Sequence, residues 1–185
     1  MRKYRFVIGL ALGIGLAVAV GNVEAKDKPF HASFAGTITN KDDFSFTGTP
    51  GSYTNVAGKS TLGPYTAQSV FETPLDGKTC TLPSGGSGVE VVVTGEVFVL
   101  SFAATAEQLF LTLSPSGQLA CVDPATGVTL GQLTFDVSGG TGRFAGATGT
   151  IVKTFKVIGL APPPPGKGLF SSFTGTFDGT IEFAQ

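Results

Sequence analysis

The segment Val137–Gly149, with the sequence VSGGTGRFAGATG, constrains the fold more than any other part of the chain. It contains the pattern Gly-x-Gly-x-x-Ala, which in dinucleotide-binding proteins is followed by a helix and, about 20 residues on, by an acidic residue. Here the following residues, Ala147–Ile158, are rich in Thr, Val and Ile, which favour strands, and the next acidic residue is Asp178. The segment therefore argues against a nucleotide site and predicts a glycine turn between two antiparallel strands.

Alternation of apolar and polar residues with a period of two is clearest near the two ends of the chain. In Phe30–Thr39 the even positions carry the apolar side chains, and in Phe173–Phe183 the odd positions do. Such alternation is typical of antiparallel strands with one buried face, and helical periodicity is almost absent. Further strands are predicted at Tyr65–Thr73, Val89–Thr94, Glu96–Ala103, Gln108–Ser114, Gln118–Val122, Leu130–Val137 and Thr150–Ile158.

The number of predicted strands favours an all-β fold, a single closed antiparallel β-barrel of about eight strands. A two-sheet sandwich is the competing architecture. The phrase Ser33–Thr37 resembles Ser172–Thr176, so the first and last strands could pair and close the barrel, with glycine where another backbone comes close. The remaining segments predicted as loops are Asn40–Gly63, Pro74–Gly88 and Gly159–Gly168.

The N-terminal residues 1–25 are typical of a secretory signal peptide. Arg2, Lys3 and Arg5 precede the apolar run Phe6–Val20, which is shorter than the ~20 residues of a membrane span. Cleavage before Lys26 would leave a single domain, 26–185, that is secreted or periplasmic; an uncleaved anchor is the alternative. Because the net charge would change from −1 to −3, we expect no nucleic acid partner and, after cleavage, no membrane partner.

Cys80 and Cys121 are the only cysteines in the sequence. In an oxidising compartment they are expected to form a disulfide, worth roughly 3–4 kcal/mol in the chain-entropy model. A reactive thiol or a metal pair is the alternative, but the chain has one histidine, His31, and the two cysteines are far apart. We therefore predict no metal site and no cofactor.

The glycine turn also suggests a family. Gly139-Gly140-Thr141-Gly142-x-Phe144, after one strand and before another that contains Gly149, resembles the corresponding turn of the allene oxide cyclase and dirigent protein superfamily. The resemblance implies an eight-stranded antiparallel barrel with an apolar cavity, commonly trimeric. Thr148 stands where dirigent sequences often have Arg, and no catalytic acid of the superfamily aligns here. The catalytic residues are therefore unknown.

Apolar residues that share one face of a predicted strand are the candidates for a ligand pocket. They are Phe98, Leu100 and Phe102 on one strand and Phe135 on another, although these side chains could equally fill the barrel. Glu96 shares the face of Phe98; buried, it could act as a general acid or base, and otherwise it lies at the solvent edge. Arg143, at the tip of the turn, could bind an anionic ligand or pair with an acid such as Asp136.

Three functions remain open from the sequence. The first is a secreted β-barrel that binds a small hydrophobic ligand without catalysis. The second is a barrel isomerase or cyclase of the allene oxide cyclase or dirigent type, as the resemblance implies, and the third is an oligomeric structural or interaction module. An ionisable group buried in an open pocket would favour the second, and a filled barrel with an apolar outer patch would favour the third.

Overall fold

A computed structural model describes residues 27–41, 51–73, 75–116, 118–160 and 170–184. The predicted signal peptide, 1–25, and most of the predicted loop Gly159–Gly168 lie outside these residues. The described chain is almost entirely β-structure, with one turn of 3-10 helix at Gly142–Phe144. The strands are β1 (Asp27–Lys41), β2 (Gly51–Ser60), β3 (Gly63–Glu72), β4 (Leu75–Thr81), β5 (Ser87–Val91), β6 (Thr94–Phe102), β7 (Glu107–Leu113), β8 (Leu119–Val122), β9 (Thr129–Gly140), β10 (Thr148–Gly159) and β11 (Phe170–Glu182).

Eight of these strands form a closed antiparallel barrel, as the sequence predicts. Their order is β1-β2-β3-β6-β7-β9-β10-β11, and β11 pairs with β1 to complete the ring. Phe34 of β1 lies opposite Gly175 of β11, and Gly36 lies opposite Phe173, so the two similar phrases near the chain ends are direct neighbours. The sandwich alternative is therefore wrong. The dinucleotide interpretation fails as well, because β9 and β10 pair as a hairpin around the glycine turn.

Three short strands extend one wall of the barrel at the end where β1 finishes and β2 begins. β4 and β5 follow β3 in the chain, and β8 follows β7. β5 pairs with β4 on one side and with β8 on the other, and β8 also pairs with the start of β9. The predicted disulfide between Cys80 of β4 and Cys121 of β8 is present, with the two Cα atoms 6.0 Å apart. Its path leaves no room for a side chain on Gly88 of β5, where an added Cβ would lie 2.5 Å from the Sγ of Cys121.

Two of the predicted loops contain strands, and both errors have a physical cause. Asn40–Gly63 includes β2, whose inward residues Ser52 and Thr54 are polar yet buried, so the sequence lacks the apolar alternation that marks a strand. Pro74–Gly88 includes β4, in which residues 77–79 are all exposed. A strand without a buried face at these positions gives no burial alternation to detect.

Within the part of the chain that the structure describes, no helix has the length and apolarity needed to cross a membrane.

Aromatic side chains close the end of the barrel that carries the glycine turn. Phe144, from the turn itself, is fully buried and stacks on Phe102 with ring centroids 5.2 Å apart. Phe183 also packs against Phe144, with the ring centroids 5.8 Å apart. We call the cluster of Phe102, Phe144 and Phe183 the aromatic plug. Its central ring, Phe144, comes from the turn that resembles a nucleotide-binding loop.

The close approach of β11 to its neighbouring strands at Gly175 can be tested by mutation. A Cβ at this position would lie 2.6 Å from the ring of Phe34 and would collide with the main chain of Thr154, so we expect Gly175→Ala to lower the free energy of unfolding by about 1–3 kcal/mol. The matched control is Gly159→Ala, since no atom of the described residues lies within 4 Å of an added Cβ there. Chemical denaturation of both variants measures the difference, and equal stability would contradict the packing argument.

Candidate functional site

A cavity of about 380 Å³ lies inside the barrel at the end opposite the aromatic plug, and it is partly open. Most of its wall is apolar and comes from the barrel and from β5 and β8 of the extension. The apolar residues that line it include Ile38, Phe71, Val91, Val93, Leu133 and Val157. Polar groups at its edge include Asn40, Ser52 and Ser171. The extension therefore deepens the cavity beyond the height of the ring of eight strands.

An ion pair lies in the wall of this cavity. The Nζ atom of Lys153 on β10 is 2.7 Å from the Oε2 atom of Glu96 on β6, and the side chains are only 2% and 1% exposed. The two strands are separated in the ring by β7 and β9, so the pair spans the interior. Both residues line the cavity, so a molecule bound there would meet a positive and a negative group side by side.

Neutral polar side chains support the carboxylate of Glu96. Ser69 Oγ donates a hydrogen bond of 3.1 Å to Oε1 of Glu96, and the hydroxyls of Ser69 and Thr54 are 2.7 Å apart. All three side chains are buried. The polar inward face of β2 is thus explained in part, because Thr54 belongs to a hydrogen-bonded row that ends at Glu96. Buried polar groups that are hydrogen-bonded in this way avoid the cost of an unmade bond.

Four phenylalanine rings surround the ammonium group of Lys153. The distances from Nζ to the ring centroids are 4.7 Å for Phe98, 5.0 Å for Phe135, 5.0 Å for Phe155 and 5.4 Å for Phe173. Ring faces attract a cation, so these contacts offset part of the loss of water around the charge. The arrangement is suited to holding one positive charge in an otherwise apolar interior.

Burial controls the protonation of Lys153. Desolvation lowers the pKa of Lys153 below its ordinary value, and the negative charge and hydrogen bond of Glu96 oppose this shift without cancelling it. The proton on Lys153 is therefore held less tightly than on a lysine in water. Because the acceptor Oε2 lies at hydrogen-bonding distance, the geometry suits transfer of a proton between the two groups.

The structure places the predicted site residues at different depths. Glu96 lines the cavity. Phe98 and Phe135 lie behind it, against the ammonium of Lys153, and Leu100 is fully buried further along β6. Phe102 belongs to the aromatic plug.

Arg143 lies at the closed end, away from the cavity. It pairs with Glu107, with Nε 3.1 Å from Oε2, and not with Asp136, the acid that the sequence suggests. Its main-chain N–H also donates to Oε1 of Glu107 at 2.8 Å, a bond that lowers the pKa of that carboxyl. The guanidinium lies 4.8 Å from the ring centroid of Phe144, so Arg143 covers the aromatic plug from outside.

His31 is exposed on the outer face of β1, with Nδ1 2.9 Å from Oδ1 of Asp178. This pair is on the surface, and it offers no triad or metal geometry. Among the described residues, no group of three or more His, Cys, Asp or Glu side chains could hold a metal ion.

Lys153 was missed in the sequence, although a signal for it exists. It shares one face of a predicted strand with Ile151, Phe155 and Val157, so it is a lone cation on an apolar face. Glu96 is a lone anion on the face of Phe98 in the same way. Two such opposite charges on the inner faces of a closed barrel are expected to pair, because an unpaired buried charge is costly.

Comparison with known proteins assigns no family to the chain. No protein-family model matches the chain. No curated protein matches it either. Among solved structures, the pterocarpan synthase dirigent protein GePTS1 is similar over 98% of each chain, with 13% identity and a TM-score of 0.28. At this level the similarity supports no argument about fold or function, and the barrel described above stands on its own strand pairing.

Proposed function

We propose that this protein is a secreted β-barrel that binds a small hydrophobic ligand in the cavity. The observation that carries the proposal is the cavity itself, because about 380 Å³ with a mainly apolar wall and a few polar groups is typical of ligand pockets. A filled interior, which the structural-module hypothesis requires, does not fit this end of the barrel. The disulfide and the N-terminal sequence support an oxidising compartment.

A barrel isomerase or cyclase is the second candidate, and the Glu96–Lys153 pair favours it. The pair is buried, lines the cavity and joins a proton donor to an acceptor at 2.7 Å. Groups of this kind in a cleft are typical of sites that move protons. The superfamily resemblance of the glycine turn supports the same candidate, and it also implies a homo-oligomer, a trimer by resemblance, that native mass spectrometry would count.

Adjacent residues on opposite faces of β10 provide a matched test of ligand binding. Val157 lines the cavity, whereas Ile158 is exposed on the outside. We expect Val157→Trp to fill part of the cavity and to weaken uptake of an apolar fluorophore by about tenfold or more, the effect of losing ~1.4 kcal/mol of binding free energy. Ile158→Trp is expected to leave uptake unchanged.

Fluorescence titration of the two variants and the unaltered protein measures this difference. Failure of the unaltered protein to take up any apolar probe, or an equal loss in both variants, would refute binding in the cavity.

A further inference from the structure

We propose that Lys153 captures an uncharged apolar aldehyde in the cavity as an imine, with Glu96 carrying the proton. This inference deepens the proposed ligand binding, on which it rests, by naming the ligand class and the atom that it meets. Three observations carry it: the amine and the carboxyl both line the cavity, they are in direct contact, and the wall around them is apolar.

The reacting amine is available because of where it lies. A lysine amine attacks carbonyl carbon only when it has lost its proton, and a desolvated lysine loses it more readily than one in water. Lys153 is 2% exposed, and its pKa is lowered by burial. Glu96 Oε2, at 2.7 Å, is the group that would accept the proton. Ser69 stays hydrogen-bonded to the other oxygen, so the carboxyl keeps its orientation during the transfer.

The step is balanced without any further reactant. Nζ gives one proton to Glu96, its lone pair forms a C–N bond with the carbonyl carbon, and the carbonyl oxygen takes a proton from the nitrogen. The C–O bond then breaks as Glu96 returns its proton, so that oxygen leaves as water and a protonated imine remains. One ammonium and one aldehyde give one iminium and one water, and nothing is oxidised or reduced.

The surroundings suit the product as well as the starting amine. An iminium carries the same single positive charge as the ammonium, so it keeps Glu96 as its counterion and the four phenylalanine rings as its shell. The ligand itself is expected to be uncharged. The ion pair is neutral overall, and a carboxylate on the ligand would be an unpaired charge in an apolar cavity.

Reductive trapping on the intact, disulfide-bonded protein tests the proposal. The probe is 2-naphthaldehyde with cyanoborohydride, which reduces an imine to a stable amine that peptide mass spectrometry can locate. Lys156 is the internal control, since it lies three residues along β10 and is exposed. We expect Lys153 to be labelled at least about tenfold faster than Lys156, because burial lowers the pKa of Lys153 and Glu96 is placed to carry its proton, an assistance typically worth about a hundredfold or more. Labelling of Lys156 as fast as Lys153 would overturn the proposal.

Glu96→Gln separates proton transfer from simple packing. It keeps the size of the side chain but removes the charge that opposes the fall in the pKa of Lys153, so a carboxylate without a part in proton transfer would, when replaced, leave labelling faster. With proton transfer lost, we expect labelling of Lys153 instead to slow by about a hundredfold, within the range of general acid–base effects, while Lys156 is unaffected. Unchanged labelling of Lys153 in this variant would refute the role of Glu96.

Competition with 2-methylnaphthalene, which has the same skeleton and no carbonyl, needs no variant. An excess is expected to protect Lys153 and not Lys156. If 2-methylnaphthalene binds but the aldehyde leaves no adduct on Lys153, the imine proposal fails and the proposed ligand binding stands. If neither probe binds, ligand binding in the cavity fails too.

Discussion

Replacing Lys153 with methionine is expected to lower the free energy of unfolding by about 3–5 kcal/mol, because the carboxylate of Glu96 would remain buried without its partner. The double variant Lys153→Met/Glu96→Met removes both charges and leaves Ser69 hydrogen-bonded to Thr54. It is expected to recover most of that loss, since apolar replacement of a whole buried pair is often neutral or stabilising. Urea denaturation of the single and double variants measures both values.

The exposed pair at the closed end is the control for this experiment. Arg143 and Glu107 also form a close ion pair, but their side chains are 39% and 18% exposed. Arg143→Met is therefore expected to lower the free energy of unfolding far less than Lys153→Met does. If the Lys153 single variant is as stable as the double variant, the pair is not coupled in the way its distance and burial imply.

Removal of the disulfide by Cys80→Ser/Cys121→Ser is expected to lower the free energy of unfolding by about 3–4 kcal/mol. The physical reason is the extra freedom of the unfolded chain between the two cysteines, which are 41 residues apart. A second effect is expected at the cavity, because Val91, Ala120 and Val122 of the cross-linked extension belong to its wall. Ligand affinity should therefore fall together with stability.

Two measurements check the disulfide prediction. Alkylation of the native protein without reductant should leave its mass unchanged, and two added alkyl groups would show that the thiols are free. Denaturation curves of the double serine variant and of the reduced native protein should then agree. A variant as stable as the oxidised protein would contradict the entropic argument.

The ring of strands could be predicted because its first and last members have regular alternation. In β1 and β11 every inward position is apolar or glycine, apart from Lys28 and Asn40 near the two ends of β1 and Ser171 at the start of β11, so the sequence alone indicates two half-buried strands that could pair. The β9–β10 hairpin could be predicted for a similar reason, since the residues after its glycines favour extended structure. Local preference and global fold agree at these places.

The prediction fails where the inner face is polar. Thr54 and Ser69 face inward to reach Glu96, and Lys153 occupies an inward position among apolar neighbours. A rule that assigns polar residues to solvent therefore misses β2 and gives no reason to consider Lys153. Sequence reasoning commonly fails at residues retained for a site and not for packing, and these residues cluster around one cavity.

Whether the interior is filled or open depends on sizes that the pattern of residues does not encode. An eight-stranded barrel is near the width at which side chains alone can fill it. Here Phe102 and Phe144 fill one end, whereas the Glu96–Lys153 pair and the added wall of β5 and β8 border a cavity at the other. That difference follows from the three-dimensional positions of the strands, which the sequence pattern does not give.

The aromatic plug has a kinetic consequence. Among the described residues Phe102, Phe144 and Phe183 pack together at one end of the barrel, and the cavity lies at the other end, where it is partly open, so we expect a bound molecule to enter and leave at that end. An occupant must depart before the next can arrive, and a newcomer cannot displace it from behind. At high ligand concentration, the residence time of the bound molecule would then set the exchange rate. Substitutions at the rim of the cavity opening would change the association and dissociation rates together and leave the dissociation constant nearly the same.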